Sequence, residues 1–285
     1  MNDKMKNLTV RTLSGVVMLA LLLGSVLWSP WSFGALLLLV LITGLNEFYE
    51  LAARRGIEPQ RIVGFSMGAV LFFCLYAFAF SGSGPSWMGG ACLAGWLFLL
   101  LLLPLTFACE LFRGRKRPLA NVAATLGGVL YVALPVAMLP GVAFLSSGEW
   151  DPRAILAFFF IIWANDVFAY LVGMTLGRHR LYERISPKKS WEGFFGGVAG
   201  AVAMGAAAAA VLGHSYGMWC GAAVVAAVTG VLGDLVESMF KREAGVKDSG
   251  NVIPGHGGVL DRFDSLLLAT PFVCVFLIVA KMLEL

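Results

Sequence analysis

Residues 217–283 read GMWCGAAVVAAVTGVLGDLVESMFKREAGVKDSGNVIPGHGGVLDRFDSLLLATPFVCVFLIVAKML. The middle of this stretch, 238–264, holds Lys241, Arg242, Lys247, Arg262, Asp248, Asp261, Asp264 and His256 in a chain that is only 13% charged. Apolar runs long enough to cross a bilayer, 217–239 and 265–283, stand on either side of it. A polar, glycine-rich segment slung between two such runs is costly to keep at a membrane unless it has work to do. Its residue types suit phosphates (the cations), a hard metal (the carboxylates) and close backbone approach to a ligand (the glycines).

The same reading extends outward. With 285 residues, 59% of them hydrophobic, and a mean hydropathy of +0.83, the chain is a polytopic membrane protein. Nine spans are predicted, at 12–29, 31–52, 62–81, 87–111, 119–145, 154–176, 191–213, 217–239 and 265–283. Most have the apolar length to cross about 30 Å of hydrocarbon at about 1.5 Å per residue. Span 2 ends in Asn46, Glu47 and Glu50, and span 7 is rich in Gly and Ala, which weakens both signals.

Charge gives the orientation. With nine spans, 19 of the 21 Lys and Arg fall on one face, and only Arg153 and Lys281 on the other. By the positive-inside rule the N-terminus is cytoplasmic and the C-terminus extracytoplasmic. The basic N-terminal residues Lys4, Lys6 and Arg11 precede a run of spanning length, and the bulky Ser29-Pro30-Trp31 is no cleavage site, so this is a first helix rather than a signal peptide. Five scattered cysteines read as small apolar packing residues. The net charge of +4 comes from the cytoplasmic loops, where orientation and attraction to anionic head groups account for it, and implies no nucleic acid. The expected organisation is one integral membrane domain, 1–285, with a five-helix scaffold half (1–150) and a catalytic half (151–285).

Chemistry concentrates in the second half. Asp234, Glu237, Ser238 and Lys241 recur at i, i+3, i+4 and i+7 and share one helical face. Asp234 lies one and a half to two turns inside the membrane, as either a buried ion pair or an intramembrane ligand opening to the cytoplasm. Asp261 and Asp264 open the last helix. They either complement its dipole or, with Asp234, complete an oxygen site for Mg²⁺. Asp166, beside Asn165, must face the bundle interior or a wet cavity. In 186–193, Lys188 and Lys189 are orientation signals or phosphate contacts, and Ser190 is a candidate N-cap ahead of Glu192. Gly255-His256-Gly257-Gly258 resembles a phosphate nest, though no Walker loop occurs.

The run Ser238-x-Phe240-Lys241-Arg242-x₄-Lys247-Asp248-x-Gly250-x₂-Ile253-Pro254-x-His256-Gly257-Gly258-Val259-x-Asp261-Arg262-Phe263-Asp264 resembles the signature of the phosphatidate cytidylyltransferases, or CDP-diacylglycerol synthases. The similarity extends to 186–193, to Asn165-Asp166 and to the nine-span layout. The resemblance implies conversion of CTP and phosphatidic acid into CDP-diacylglycerol and pyrophosphate, for phospholipid synthesis. It also implies an all-helical membrane fold that dimerises, in a bacterial-type inner membrane with its site facing the cytoplasm. The cofactor it implies is Mg²⁺ on Asp234, Ser238 and Asp261, with room in the family for a monovalent cation such as K⁺. The candidate catalytic residues are Lys241, Arg242, Lys247, Asp248, His256, Arg262 and Asp264. The candidate substrate contacts are Asp166, Lys188, Lys189, Ser190, Glu192, Gly257 and Gly258.

Two other classes remain open. Intramembrane Asp166 and Asp234 could form the ion relay of a transporter, although the polar residues cluster on one face and no repeat pairs the halves. A different lipid nucleotidyl- or phosphotransferase is the other alternative. The DGxxAR run of the CDP-alcohol phosphotransferases is absent.

Overall fold

A computed structural model describes residues 3–80, 87–147 and 149–284, leaving aside the side chains of 3–10, 87–88 and 146–147. The predicted loop at 81–85 and the side chains of Lys4 and Lys6 lie outside the described residues. Among those residues nine helices are long and apolar enough to cross a membrane, so the chain is an all-α polytopic membrane protein, as expected. In order they run α1 (Asp3–Trp28), α2 (Pro30–Ala53), α3 (Arg61–Ala79), α4 (Trp87–Arg113) and α5 (Pro118–Gly128). The short α6 (Leu134–Met138) and α7 (Gly141–Ser147) precede α8 (Pro152–Leu176), α9 (Trp191–Leu212), α10 (Tyr216–Glu243) and α11 (Leu260–Met282). A hairpin of β1 (Arg180–Tyr182) and β2 (Ser186–Ser190) interrupts the helices.

Several predicted boundaries move, each for a local reason. The fifth span ends at Met138 rather than 145, because Pro140 lacks an N–H and restricts the residue before it, so the chain turns before α7. The loop at 177–190 contains the β1–β2 hairpin. α10 continues to Glu243 and α11 begins at Leu260, which shortens the polar segment between them. The chain divides into two compact units, Met1–Met138 with Glu243–Arg262 and Leu139–Arg242 with Phe263–Leu285.

In the first unit the fully buried Tyr49 of α2 donates its hydroxyl to Thr125 O at 3.0 Å. Its ring occupies space that a Cβ on Gly64 or Gly128 would need. After α5 the backbone widens into a π-helical turn, Val129–Ala133, closed by Leu134 N–H on Val129 O. A buried carboxylate, Glu110 of α4, accepts from Gln60 Nε2 at 2.8 Å, Asn121 Nδ2 at 2.6 Å and Arg113 Nη1 at 2.5 Å. Such a group is tolerable in an apolar setting only with its lone pairs filled in this way.

In the second unit small residues set the helix spacing. Gly193, Gly196, Gly197 and Gly200 of α9 lie on Asn165, Phe168, Ala169, Val172 and Gly173 of α8, so close that a Cβ on any of the four would overlap its neighbour. Ser190 caps α9 by accepting Gly193 N–H at 3.2 Å, so the packed seam leads directly into β2 and its lysines. A second close approach joins α10 and α11, where a Cβ on Gly233 would stand 2.5 Å from Asp264 O.

Candidate active site

In the second unit that approach decides the electrostatics. With no side chain at 233, the residue after it meets the first turns of α11, and carboxylate oxygens of Asp234, Glu237 and Asp264 come within 4.8 Å of one another. Ser238 Oγ donates to Asp234 Oδ1 at 3.2 Å. Two cations answer the three acids. Lys241 Nζ lies 2.5 Å from Glu237 Oε2, one turn along α10, and Lys189 Nζ lies 2.6 Å from Asp234 Oδ2. Glu237 is 0% exposed and Lys241 8%, so this pair is sunk in the protein, whereas Asp234 and Lys189 are partly open. Three carboxylates with two ammonium groups leave an excess of negative oxygen, a donor set suited to a hard divalent cation.

Asp234 and Lys189 open into a cleft of about 580 Å³. Its polar lining is Asp166, Arg180, Lys188, Lys189, Ser190 and Asp234, and its apolar lining includes Ala169, Met174, Leu181, Phe194 and Val231. The α8–α9 seam brings Asp166 and Ser190 into this lining, and the hairpin adds Arg180 and the two lysines. Asp166 Oδ1 accepts from Asn165 Nδ2 at 3.3 Å. Glu192 does not line the cleft. Its carboxylate accepts Arg178 and His179 N–H at 3.1 and 3.2 Å and meets His179 Nδ1 at 2.6 Å, which ties down the approach to β1.

In the first unit the polar segment folds around a different carboxylate. Asp261 Oδ2 accepts Ser249 N at 2.8 Å, Ser249 Oγ at 2.9 Å and Gly258 N at 2.8 Å. The amide of Gly258 therefore points at a carboxylate of the chain itself. Gly257 has φ +85°, and a Cβ there would stand 2.8 Å from Asp261 Oδ2, so this turn requires glycine. His256 Nδ1 lies 2.9 Å from Ser14 Oγ of α1, and the His256 carbonyl accepts Arg262 Nε and Nη2 at 3.0 and 2.6 Å. Lys247 and Asp248 are exposed, as is Arg242 of the second unit.

The predicted residues thus fall into separate groups. Asp234, Ser238, Lys241 and Asp264 gather on α10 and α11, while Asp166, Lys188, Lys189 and Ser190 share the cleft with Asp234. Asp261, His256, Gly257, Gly258 and Arg262 form the folded turn of the first unit. Sequence reasoning put Glu237 on the right face without a role, and counted Arg180 only as an orientation charge. It passed over Glu47, a 3%-exposed acid of α2 that accepts from Ser249, Val259 and Leu260. The signal for Glu47 was present, since an acid near the end of a spanning helix demands partners.

Comparison with known proteins adds the lineage. A profile described as the cytidylyltransferase family matches residues 9–280. A phosphatidate cytidylyltransferase of Synechocystis sp. is 32% identical over 296 residues, which cover 95% of this chain and 96% of that protein. Proteins of the same name from Staphylococcus aureus and Staphylococcus epidermidis are each 44% identical over 126 and 128 residues, 44% of this chain and 48% and 49% of theirs. With a family match over nearly its whole length, this chain belongs to the cytidylyltransferase family.

Proposed function

We propose that this protein transfers the cytidylyl group of CTP to phosphatidic acid, giving CDP-diacylglycerol and pyrophosphate. The observation that carries the reading is the cleft in the second unit, lined by cations, carboxylates and apolar side chains together. One substrate is a polyanion and the other a lipid phosphate, and the cleft's lining holds groups that suit both.

The chain's own groups have a definite task. A phosphate monoester is largely ionised near neutral pH, with a second pKa of about 6, so the nucleophile needs no strong base. What remains is to position two polyanions and offset their charge while the α-phosphorus is attacked in line and pyrophosphate departs. Lys188, Lys189 and Arg180 would hold phosphate oxygens, and Lys189 would exchange its contact with Asp234 for one with substrate. The oxygens of Asp234, Glu237 and Asp264 fit a divalent cation such as Mg²⁺, with Ser238 adjacent. Bound there, it would supply charge neutralisation for the phosphates. The family resemblance adds Asp261 as a ligand, Lys241, Arg242, Lys247, Asp248, His256 and Arg262 as catalytic candidates, and K⁺ as a second cation. It also adds a homodimer in a bacterial-type cytoplasmic membrane, and a catalytic role for 151–285 with 1–150 as scaffold.

The deciding experiment supplies purified protein in mixed micelles with radiolabelled CTP, phosphatidic acid and Mg²⁺. Labelled CDP-diacylglycerol and pyrophosphate are expected. Absence of product from a folded, lipid-supplied preparation would sink the reading, and product from diacylglycerol would favour a kinase.

Orientation is testable apart from catalysis. The charge asymmetry expects the polar segments at 177–190 and 244–259 in the cytoplasm, where CTP is found. Asn251 is exposed in the second of these segments and serves as its reporter. In a background without the five native cysteines, Glu149→Cys should react with an impermeant thiol reagent on intact cells, and Asn251→Cys only after permeabilisation. External labelling at 251 would invert the topology and revive a transport function.

A further inference from the structure

We propose that Glu47 of α2 is a positioning residue for the reaction, one that sets the place of Asp261 through the serine and backbone they share. The inference rests on the proposed cytidylyl transfer, and on geometry wholly inside the first unit. Glu47 Oε1 accepts Val259 N at 2.9 Å, and Oε2 accepts Leu260 N at 2.8 Å and Ser249 Oγ at 3.0 Å. Ser249 Oγ also lies 2.9 Å from Asp261 Oδ2. The two carboxylates therefore share one hydroxyl, which has a single proton to give. Gly250 and Gly258 line Glu47 so closely that a Cβ on either would stand 2.6 or 2.5 Å from its carboxylate oxygens. The site is thus built to seat this one side chain.

The position also has a physical logic. Val259 and Leu260 supply N–H groups at the start of α11, donors with no acceptor inside their own helix. A carboxylate from another helix fills that need and complements the positive end of the helix dipole. The anchor is more than 200 residues away in sequence, so the polar segment takes its shape from α2 as well as from its own Asp261.

Glu47→Gln tests this at nearly constant volume. An amide presents one acceptor and one NH₂ group, so whichever way it turns, a donor faces a backbone N–H. The expected result is a fall in kcat on the order of 100-fold, the scale of a small misplacement of reacting groups. KM for CTP and phosphatidic acid should stay within about threefold, because binding is not what is lost. Ser249→Ala should act in the same direction, and the double variant should fall short of the product of the single effects, because the two residues act as one unit. Hydrogen exchange in detergent, read without substrate, should quicken in peptides covering 245–262 and stay unchanged over α3 and α5.

Wild-type kcat in Glu47→Gln, or unchanged exchange at 245–262, would overturn the proposal. So would faster exchange throughout the unit, which would mark Glu47 as a general stabiliser. If the wild-type chain forms no CDP-diacylglycerol, the reaction reading fails, and the exchange measurement alone then decides whether Glu47 holds the segment.

Discussion

Asp234→Asn and Asp264→Asn are each expected to lose turnover by on the order of 1,000-fold, in chains that still elute as folded protein from a detergent column. The substitution keeps shape and volume but turns one carboxylate oxygen into an NH₂ group. In the second unit these two acids and Glu237 bring their oxygens within 4.8 Å. Removing one charge from that group weakens its hold on any cation, and at Asp234 it also weakens the ion pair with Lys189. The measurement is labelled CTP incorporation across a Mg²⁺ titration, with a melting curve to confirm folding. Near-normal activity at limiting Mg²⁺ would make that residue an ordinary ion-pair partner. The same substitution at Asp261 tests the ligand role that the resemblance assigns to it.

Gly233→Ala is expected to cut kcat by on the order of 100-fold while adding only one methyl group. The new Cβ would stand 2.5 Å from Asp264 O, which is backbone and cannot swing aside, so α10 and α11 must separate. Asp234 and Asp264 then part, and the destabilisation should be about 1–3 kcal/mol, as for other overpacked cores. Gly230→Ala, one turn earlier on α10, is the control. Its Cβ would meet nothing nearer than Ile162 Cδ1 at 3.4 Å, so activity should hold. Equal losses at both positions would refute the argument from close approach.

The nine spanning helices were legible because hydropathy reports them directly, span by span. The i, i+3, i+4, i+7 spacing of Asp234, Glu237, Ser238 and Lys241 likewise survives into the folded α10. What escaped the sequence depended on distant partners or weak local signals. Strands of three and five residues around Glu183-Arg184 are too short to show a strand periodicity, so the β1–β2 hairpin read as loop. The π-helical turn at Val129–Ala133 lies inside an unbroken apolar run and leaves no trace in composition. Glu47 looked like a blemish on span 2, and its three donors sit in a segment far along the chain. Lys189 was weighed as an orientation charge or a phosphate contact. Its ion pair with Asp234 shows that a cation beside the cleft can also serve a carboxylate of the chain.

The glycine face of α9 settles something about traffic. Where Gly193, Gly197 and Gly200 rest on α8, atoms from the two helices already sit at contact distance, and interiors packed in this way leave no channel. That seam is a closed wall, and no acyl chain can slide sideways between α8 and α9 to reach Asp166. A lipid bound for the cleft must bring its head group in by another opening and leave its tails in the bilayer. Loosening the wall with larger residues at these glycines would wreck the cleft before it admitted a new substrate.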